Sequence, residues 1–363
     1  MKKTLVALAV LAASGAAMAQ VSMTGNFSFG FVETSAGKTS ATGATAKSSG
    51  LGVQTSEVYL NVKEDLGGGM GLSLKYGFGG LDRSGESSTQ PYTTGSNGPV
   101  TGRNGSATLT TPVGAITYGT NKIADYLNAM AGLGMNIDDM SDTRGTNLLA
   151  GRARRDFVQY DVPMGAFRVS LAHLESANDL GIGDGAQGAN VSAAGGAQRI
   201  NVVGLNYDKS GLVLNGQYLS YDGNWSPRGL PVATNPLADG NVDNVVRFGG
   251  SYNFGMAKVG AAMQIVDYMG SRKDTQTMLT VAVPLGAIDL GASYAMRKVE
   301  DSVVKDASGN NVNNGDRDGY LLYAAYNLSK RSAVKFQYSD VKTSVLSGQE
   351  NSTTMYAIMS HNF

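Results

Sequence analysis

The stretch Glu64-Asp65-Leu66-Gly67-Gly68-Gly69-Met70-Gly71-Leu72-Ser73-Leu74-Lys75-Tyr76-Gly77-Phe78 decides the fold. Its opening residues are turn-like, because glycine supplies the positive φ that a tight reversal needs. From Met70 onward, large apolar side chains occupy every second position, with Gly71, Ser73, Lys75 and Gly77 between them. A period of two belongs to a strand with one apolar and one polar face; an amphipathic helix would repeat near 3.6.

The same period recurs along the chain. Phe27, Phe29 and Phe31 share one face, as do Phe167, Val169 and Leu171. Phe248, Tyr252 and Phe254 repeat it, then Ile288, Leu290, Tyr294 and Met296, then Val334, Phe336 and Tyr338. Such strands suit either a sandwich or a membrane barrel. The connections decide between them. Seven are short, at Asp65–Gly69, Pro112–Gly114, Pro163–Gly165, Lys209–Gly211, Gly255, Pro284–Gly286 and Ser329-Lys330. Eight are mostly longer and polar, at 34–50, 83–101, 121–152, 177–197, 223–242, 269–274, 300–317 and 343–350. Short and long alternate, so fifteen connections join sixteen strands. A sandwich has no reason to gather its long loops at one end, whereas an outer-membrane barrel has short periplasmic turns and long outside loops. The expected fold is all-β, a sixteen-stranded antiparallel transmembrane barrel.

Composition agrees with export and with a wall of strands. Lys2 and Lys3 precede an apolar run from Thr4 to Ala13, and Ala17-Met18-Ala19 then offers the small residues of a cleavage site before Gln20. The run is too short to span a bilayer as a helix, so residues 1–19 are expected to be a cleaved signal peptide and 20–363 the barrel. Without Lys2 and Lys3 the chain carries 27 basic and 29 acidic residues, which leaves no basic footprint for nucleic acid. There is no cysteine, so no disulfide holds the exported chain. The segment after the signal has no apolar stretch of eighteen residues, so if it enters a membrane it must close into a barrel. Tyr160, Tyr207, Phe254, Tyr326 and Phe363 lie near the short turns or the C-terminus, as one aromatic girdle requires; Tyr221 and Tyr268 are expected at the opposite rim.

The turn Glu64–Gly69 resembles the second-strand turn of the Gram-negative general porins. The ending His361-Asn362-Phe363 resembles the terminal aromatic strand of that family, especially its β-proteobacterial branch, and so does the Tyr160-Asp161-Val162-Pro163-Met164-Gly165 turn. The resemblance extends over essentially the whole chain after the signal. It implies a homotrimer, a third outside loop folded into the lumen, and a terminal Phe363 that serves the barrel-assembly machinery as a signal. The chain departs from the pattern at Glu57, where an inward Arg is usual, at Gly119-Thr120 in place of Gly-Arg, and at Thr24-Gly25 in place of Tyr-Gly.

A diffusion pore needs bore, water and an electric field rather than catalytic groups, and sixteen strands leave an aqueous channel. Strand parity assigns Lys63, Lys75, Arg103, Arg155, Arg168, Arg247, Lys258, Arg297 and Lys335 to the lumen, with Glu57 and Asp289 as the main inward acids. Arg103 matches the wall-Arg position of the family. The longest connection, 121–152, holds Asp125, Asp138, Asp139 and Asp142 beside Lys122, Arg144 and Arg152, and is followed by Arg154 and Arg155. If this loop folds inward, its carboxylates face basic wall residues across the water, and charge lining sets selectivity. The expectation is passive passage of ions and small hydrophilic solutes with a modest anion preference.

Other chemistry is poorly supported. Residues 306–318 are rich in Asp and Asn but lack the spaced ligands and terminal Glu of a calcium loop, and the Gly-rich turns do not open helices. Neither metal nor cofactor is expected. A barrel hydrolase would need a His base, and only His173 and His361 exist, with His173 assigned by parity to the outside. A substrate-specific channel would need an aromatic ladder, for which inward Tyr59 and Tyr323 are few. A non-conducting adhesin would not require an open lumen. The expected partners are outer-membrane lipids and lipopolysaccharide, further copies of the chain and the assembly machinery.

Overall fold

In a computed structural model of the chain, the three glycines at 67–69 lie in the reversal between the second and third strands of one closed sheet. The structure describes residues 20–36, 46–79, 101–122, 127, 154–176, 198–222, 242–269, 272–300, 304–305, 311–312, 316–342 and 351–363. The expected signal peptide, 1–19, lies outside them.

The wall consists of β1 (Gln20–Ala36), β2 (Ala46–Gly67), β3 (Met70–Gly79), β4 (Thr101–Thr111), β5 (Gly114–Lys122), β6 (Arg154–Met164), β7 (Phe167–Ser176) and β8 (Gln198–Lys209). It continues with β9 (Leu212–Asp222), β10 (Val242–Asn253), β11 (Lys258–Tyr268), β12 (Lys273–Leu285), β13 (Ile288–Glu300), β14 (Arg317–Asn327), β15 (Ser332–Lys342) and β16 (Asn351–Asn362). Each strand pairs antiparallel with its neighbours in the chain, and β1 pairs with β16. No edge is left, which satisfies the backbone groups inside lipid. The closing register runs from Asn26↔Asn362 to Ser35↔Thr353, and Gly25 and Phe363 exchange backbone hydrogen bonds of 2.9 and 3.0 Å.

All seven short connections lie at one end. Asp65 accepts a hydrogen bond from the Gly67 amide at 2.9 Å, and Gly67, Gly68 and Gly69 all have positive φ. The Ser210-Gly211 reversal has φ of 54° and 80°, the left-handed pair that matches the twist of a two-residue hairpin. At the other end the strands reach further than the composition suggested: β1 extends to Ala36 and β2 starts at Ala46. Of the connection expected at 269–274, Lys273 and Asp274 already belong to β12, and the Tyr268 amide donates to the Arg272 carbonyl at 3.2 Å. A two-residue ladder, Val304–Lys305 with Asn311–Val312, stands apart between β13 and β14.

Parity governs burial around the wall. On β12, Asp274, Gln276, Met278, Thr280 and Ala282 are buried on the inner face, alternating with more exposed Thr275, Thr277, Leu279 and Val281. The outer face carries exposed Leu74, Tyr76, Leu109, Tyr118, Leu171, Val203, Phe248, Leu290 and Phe336, spread over most of the circumference. Water does not tolerate an apolar exterior of that extent; the hydrocarbon of a bilayer matches it.

The turn-end aromatics face outward as a girdle. Phe167 and Tyr207 stack with centroids 4.9 Å apart, Tyr252 and Phe254 with centroids 4.6 Å apart, and Tyr160 donates to the Val113 carbonyl at 3.2 Å. The opposite rim differs from the expectation. Tyr221 and Tyr268 have the inner parity of β9 and β11, so both pack inside the barrel against an apolar cluster.

Candidate functional site

The inner wall has two unlike halves. Along β11–β15 nearly every second side chain is buried, and one described residue shows what lies against it. Leu127, 0% exposed, belongs to a cluster with Ala262, Met278, Ala295, Leu321, Tyr323 and Val341. It follows the end of β5 by five residues, yet it rests on a wall centred on β13, directly opposite β5 in the sixteen-strand order. The chain after β5 therefore enters the lumen at Leu127. A second inner cluster, with Leu174, Ile200, Leu219, Val245 and Val266, covers the loop end of β7–β11.

The covered half also holds a buried ionic group. Asp274 accepts from Arg297 Nη2 at 2.5 Å, from Arg272 Nη2 at 3.3 Å and from the Tyr268 hydroxyl at 2.9 Å. The Arg272 guanidinium also lies 4.5 Å from the Tyr268 ring centroid. Arg297 and Arg317 are cross-strand partners. Like charges directly opposite destabilise a sheet, and the carboxylate offsets part of that repulsion. Arg297, assigned from parity to the water-lined wall, is 1% exposed and belongs to this cluster instead.

The other half, β1–β7, is more open. Lys63 and Lys75 are exposed on the inner parity of β2 and β3. The Tyr59 ring lies against Gly77, where a Cβ would come within 2.5 Å of it, so glycine makes the space for the ring. Lys75 Nζ sits 4.3 Å above that ring, and the Tyr59 hydroxyl donates to Glu57 Oε2 at 2.7 Å. Glu57 thus stands in the lumen wall with a hydrogen bond to its carboxylate. Further along, Asp161 accepts from Gln159 at 2.8 Å and Ser170 at 2.5 Å, with the Arg168 Nε 3.8 Å away.

Other expected residues divide by what is described. Asp125, Asp138, Asp139, Asp142 and Arg152 lie outside the described residues, as do the side chains of Arg103, Arg154 and Arg155. The backbone places position 103 in β4 within a register shift opposite Gly77, where one extra residue enters between Gly102 and Gly105. Position 155 shares the face of Gln159 and Asp161, whereas 154 shares that of Val158 and Tyr160. Neither histidine lies on the inner parity: His173 contacts Asn201 at 2.7 Å and Glu175 at 3.1 Å, and His361 contacts Ser332 at 2.9 Å.

Sequence reasoning missed Asp161 and Asp274 among the inward acids, the Arg272–Arg317 group and the anchoring position of Leu127. For Asp274 a signal existed, since it shares the parity of Gln276 and Met278. The polar start of β12 concealed it by reading as loop.

A model of the Gram-negative porin family matches residues 4–346. Outer membrane porin protein 32 of Delftia acidovorans is 28% identical over 359 residues, 92% of this chain and 88% of that protein. The anion-selective porin from Comamonas acidovorans has a similar structure, with a TM-score of 0.66 at 19% identity, covering 95% of this chain and 100% of that one. OmpT of Vibrio cholerae in its trimer form gives a TM-score of 0.57 at 15% identity, over 95% and 99% of the two chains. At these identities the structural likenesses speak for the fold. With the family match over nearly the whole chain, the closed barrel and the loop inside it identify this chain as a member of the Gram-negative porin family, a diffusion channel of the outer membrane.

Proposed function

We propose that the water path follows the β1–β7 side of the lumen and passes ions and small hydrophilic solutes with a modest preference for anions. The carrying observation is a contrast in exposure within that half. Lys63, Lys75 and Arg168 present exposed cationic side chains, Arg168 with 56% of its side chain exposed, while Glu57 and Asp161 accept hydrogen bonds from neighbouring side chains. Two unit charges about 8 Å apart in water interact by only about 0.5 kcal/mol, so a few bases bias permeation without filtering it.

In this reading Arg103 adds to the basic wall, and Asp125, Asp138, Asp139 and Asp142 face it from the third loop. Arg152, Arg154 and Arg155 stand at the loop's return to β6. The chain is exported by residues 1–19 and assembled as a homotrimer among outer-membrane lipids and lipopolysaccharide. The pore needs no cofactor, metal or catalytic group.

The test is the zero-current potential of purified channels in a salt gradient. Arg103→Ala moves it toward cations, and the double change Asp138→Asn with Asp139→Asn moves it toward anions. Both effects shrink in concentrated salt, where screening shortens to about 3 Å at 1 M. An Arg103→Ala channel with an unaltered potential removes Arg103 from the constriction.

A further inference from the structure

We infer that Leu127 is the peg that fixes the third loop to the far wall, seated in a socket that the inner face of β11–β15 builds for it. The inference rests on the reading of this lumen as a conducting pore and names a positioning residue within it.

The socket is visible in the register. Ala262 pairs with Met278, Met278 with Ala295, Ala295 with Gly319 and Gly319 with Val341, so five inward positions form one row across five strands. Every residue in this row is apolar or glycine. The adjacent row toward the loops, Gln264–Gln276–Arg297–Arg317, is polar throughout. The adjacent row toward the turns, Gly260–Thr280–Ser293–Leu321–Ser339, is mixed, and its Leu321 joins the same cluster. A lumen filled with water has no use for an apolar stripe beside a polar row, and leaving it wet forfeits its burial energy. Between Met278 and Val341 the row carries only the small Ala295 and Gly319, and Val341 leans over Gly319, where a Cβ would come within 2.8 Å of its Cγ2. Leu127 is the apolar residue of the loop that the structure records in the cluster, with no exposed surface.

The chemistry makes this contact a latch for position. Full burial of a leucine side chain shifts an equilibrium by about one to two orders of magnitude. Removing it should lower the docked-to-undocked ratio of the loop by that factor while the strand ladder stays intact. A loop that leaves the wall changes both the bore and the place of its charges.

The chain contains no cysteine, so a single introduced thiol reports cleanly. Leu127→Cys and Lys75→Cys channels in planar bilayers are exposed to a small charged methanethiosulfonate reagent. The thiol of Leu127→Cys is expected to react at least about tenfold more slowly than that of Lys75→Cys, as one buried apolar side chain implies. In parallel, Leu127→Ser raises the frequency of current transitions by about tenfold or more on the same basis, while Leu127→Met behaves as the wild type. Equal thiol reactivity at the two sites overturns the peg. So does a Leu127→Ser trace that matches the wild type. If Leu127→Ser fails to assemble, the thiol comparison decides alone. A wild-type barrel that passes no current contradicts the pore reading instead; thiol protection in the detergent-solubilised barrel then tests the peg separately.

Discussion

Asp274 shows what one inner-wall residue has to satisfy. Its side chain has no exposed surface, and it holds Arg297, Arg272 and the Tyr268 hydroxyl within hydrogen-bond range. Removing one partner of a buried charge group leaves the others without compensation, at a cost of about 3–5 kcal/mol. Asp274→Asn is therefore expected to lower markedly the temperature at which the folded barrel loses its heat-modifiable mobility on gels. The exposed Lys273–Asp267 pair, at 3.4 Å, provides the control. Lys273→Ala should cost less than about 1 kcal/mol. Equal losses in the two variants would show that the cluster holds nothing together.

At this scale the sequence was only partly legible. Period two assigns a face to each residue, but not whether that face meets water or another part of the chain. Arg297 and Lys75 share the inner face of their strands, yet one is sealed in an ionic cluster and the other exposed. Leu127 is harder still, because Ile123, Tyr126, Met130, Leu133 and Met135 stand near it in the sequence and their pattern does not say which of them seats against the wall.

Among the elements, β16 carries the closure. Phe363, the residue that follows it, exchanges backbone hydrogen bonds with Gly25, and the Phe363 ring occupies the space where a Cβ on Gly25 would stand. The glycine and the terminal ring thus form one joint at the aromatic rim. Deleting Phe363 removes the two backbone hydrogen bonds and the ring together. The expected outcome is less assembled, heat-modifiable barrel with secretion into the periplasm unchanged. Undiminished assembly would reduce Phe363 to an interface aromatic.

Element number was legible because turns announce themselves chemically through Gly, Pro and Asp, and the seven reversals fall within or beside the stretches read from sequence. Element ends were less so. Lys273 and Asp274 have the composition of a loop but the hydrogen bonds of a strand, since the inner face of a barrel tolerates polar residues. Tyr221 and Tyr268 went to the wrong face for a related reason. An aromatic near a strand end suits both a girdle and an inner cluster, and only its parity separates the two.

The whole molecule has an asymmetry that assigns its orientation. The seven tight turns, the start of β1 at Gln20 and the C-terminal Phe363 meet at one end, and the long connections leave from the other. Outer-membrane barrels place short turns in the periplasm. Single cysteines in 177–197 and 223–242 should then react with impermeant reagents on intact cells, whereas those at 210–211 or 286–287 should be protected. Reversed labelling would turn the barrel over.

At this same scale, the fold, the membrane and the loop's inward course are joined in one claim: a water-filled path along the β1–β7 wall whose exposed fixed charges are mainly basic. The most direct test is the zero-current potential of the purified wild-type protein in a planar bilayer across a tenfold potassium chloride gradient. The account predicts stepwise insertion of conducting units and a potential displaced modestly toward that of chloride. A bilayer that stays silent, or a potential displaced toward that of potassium, would contradict it.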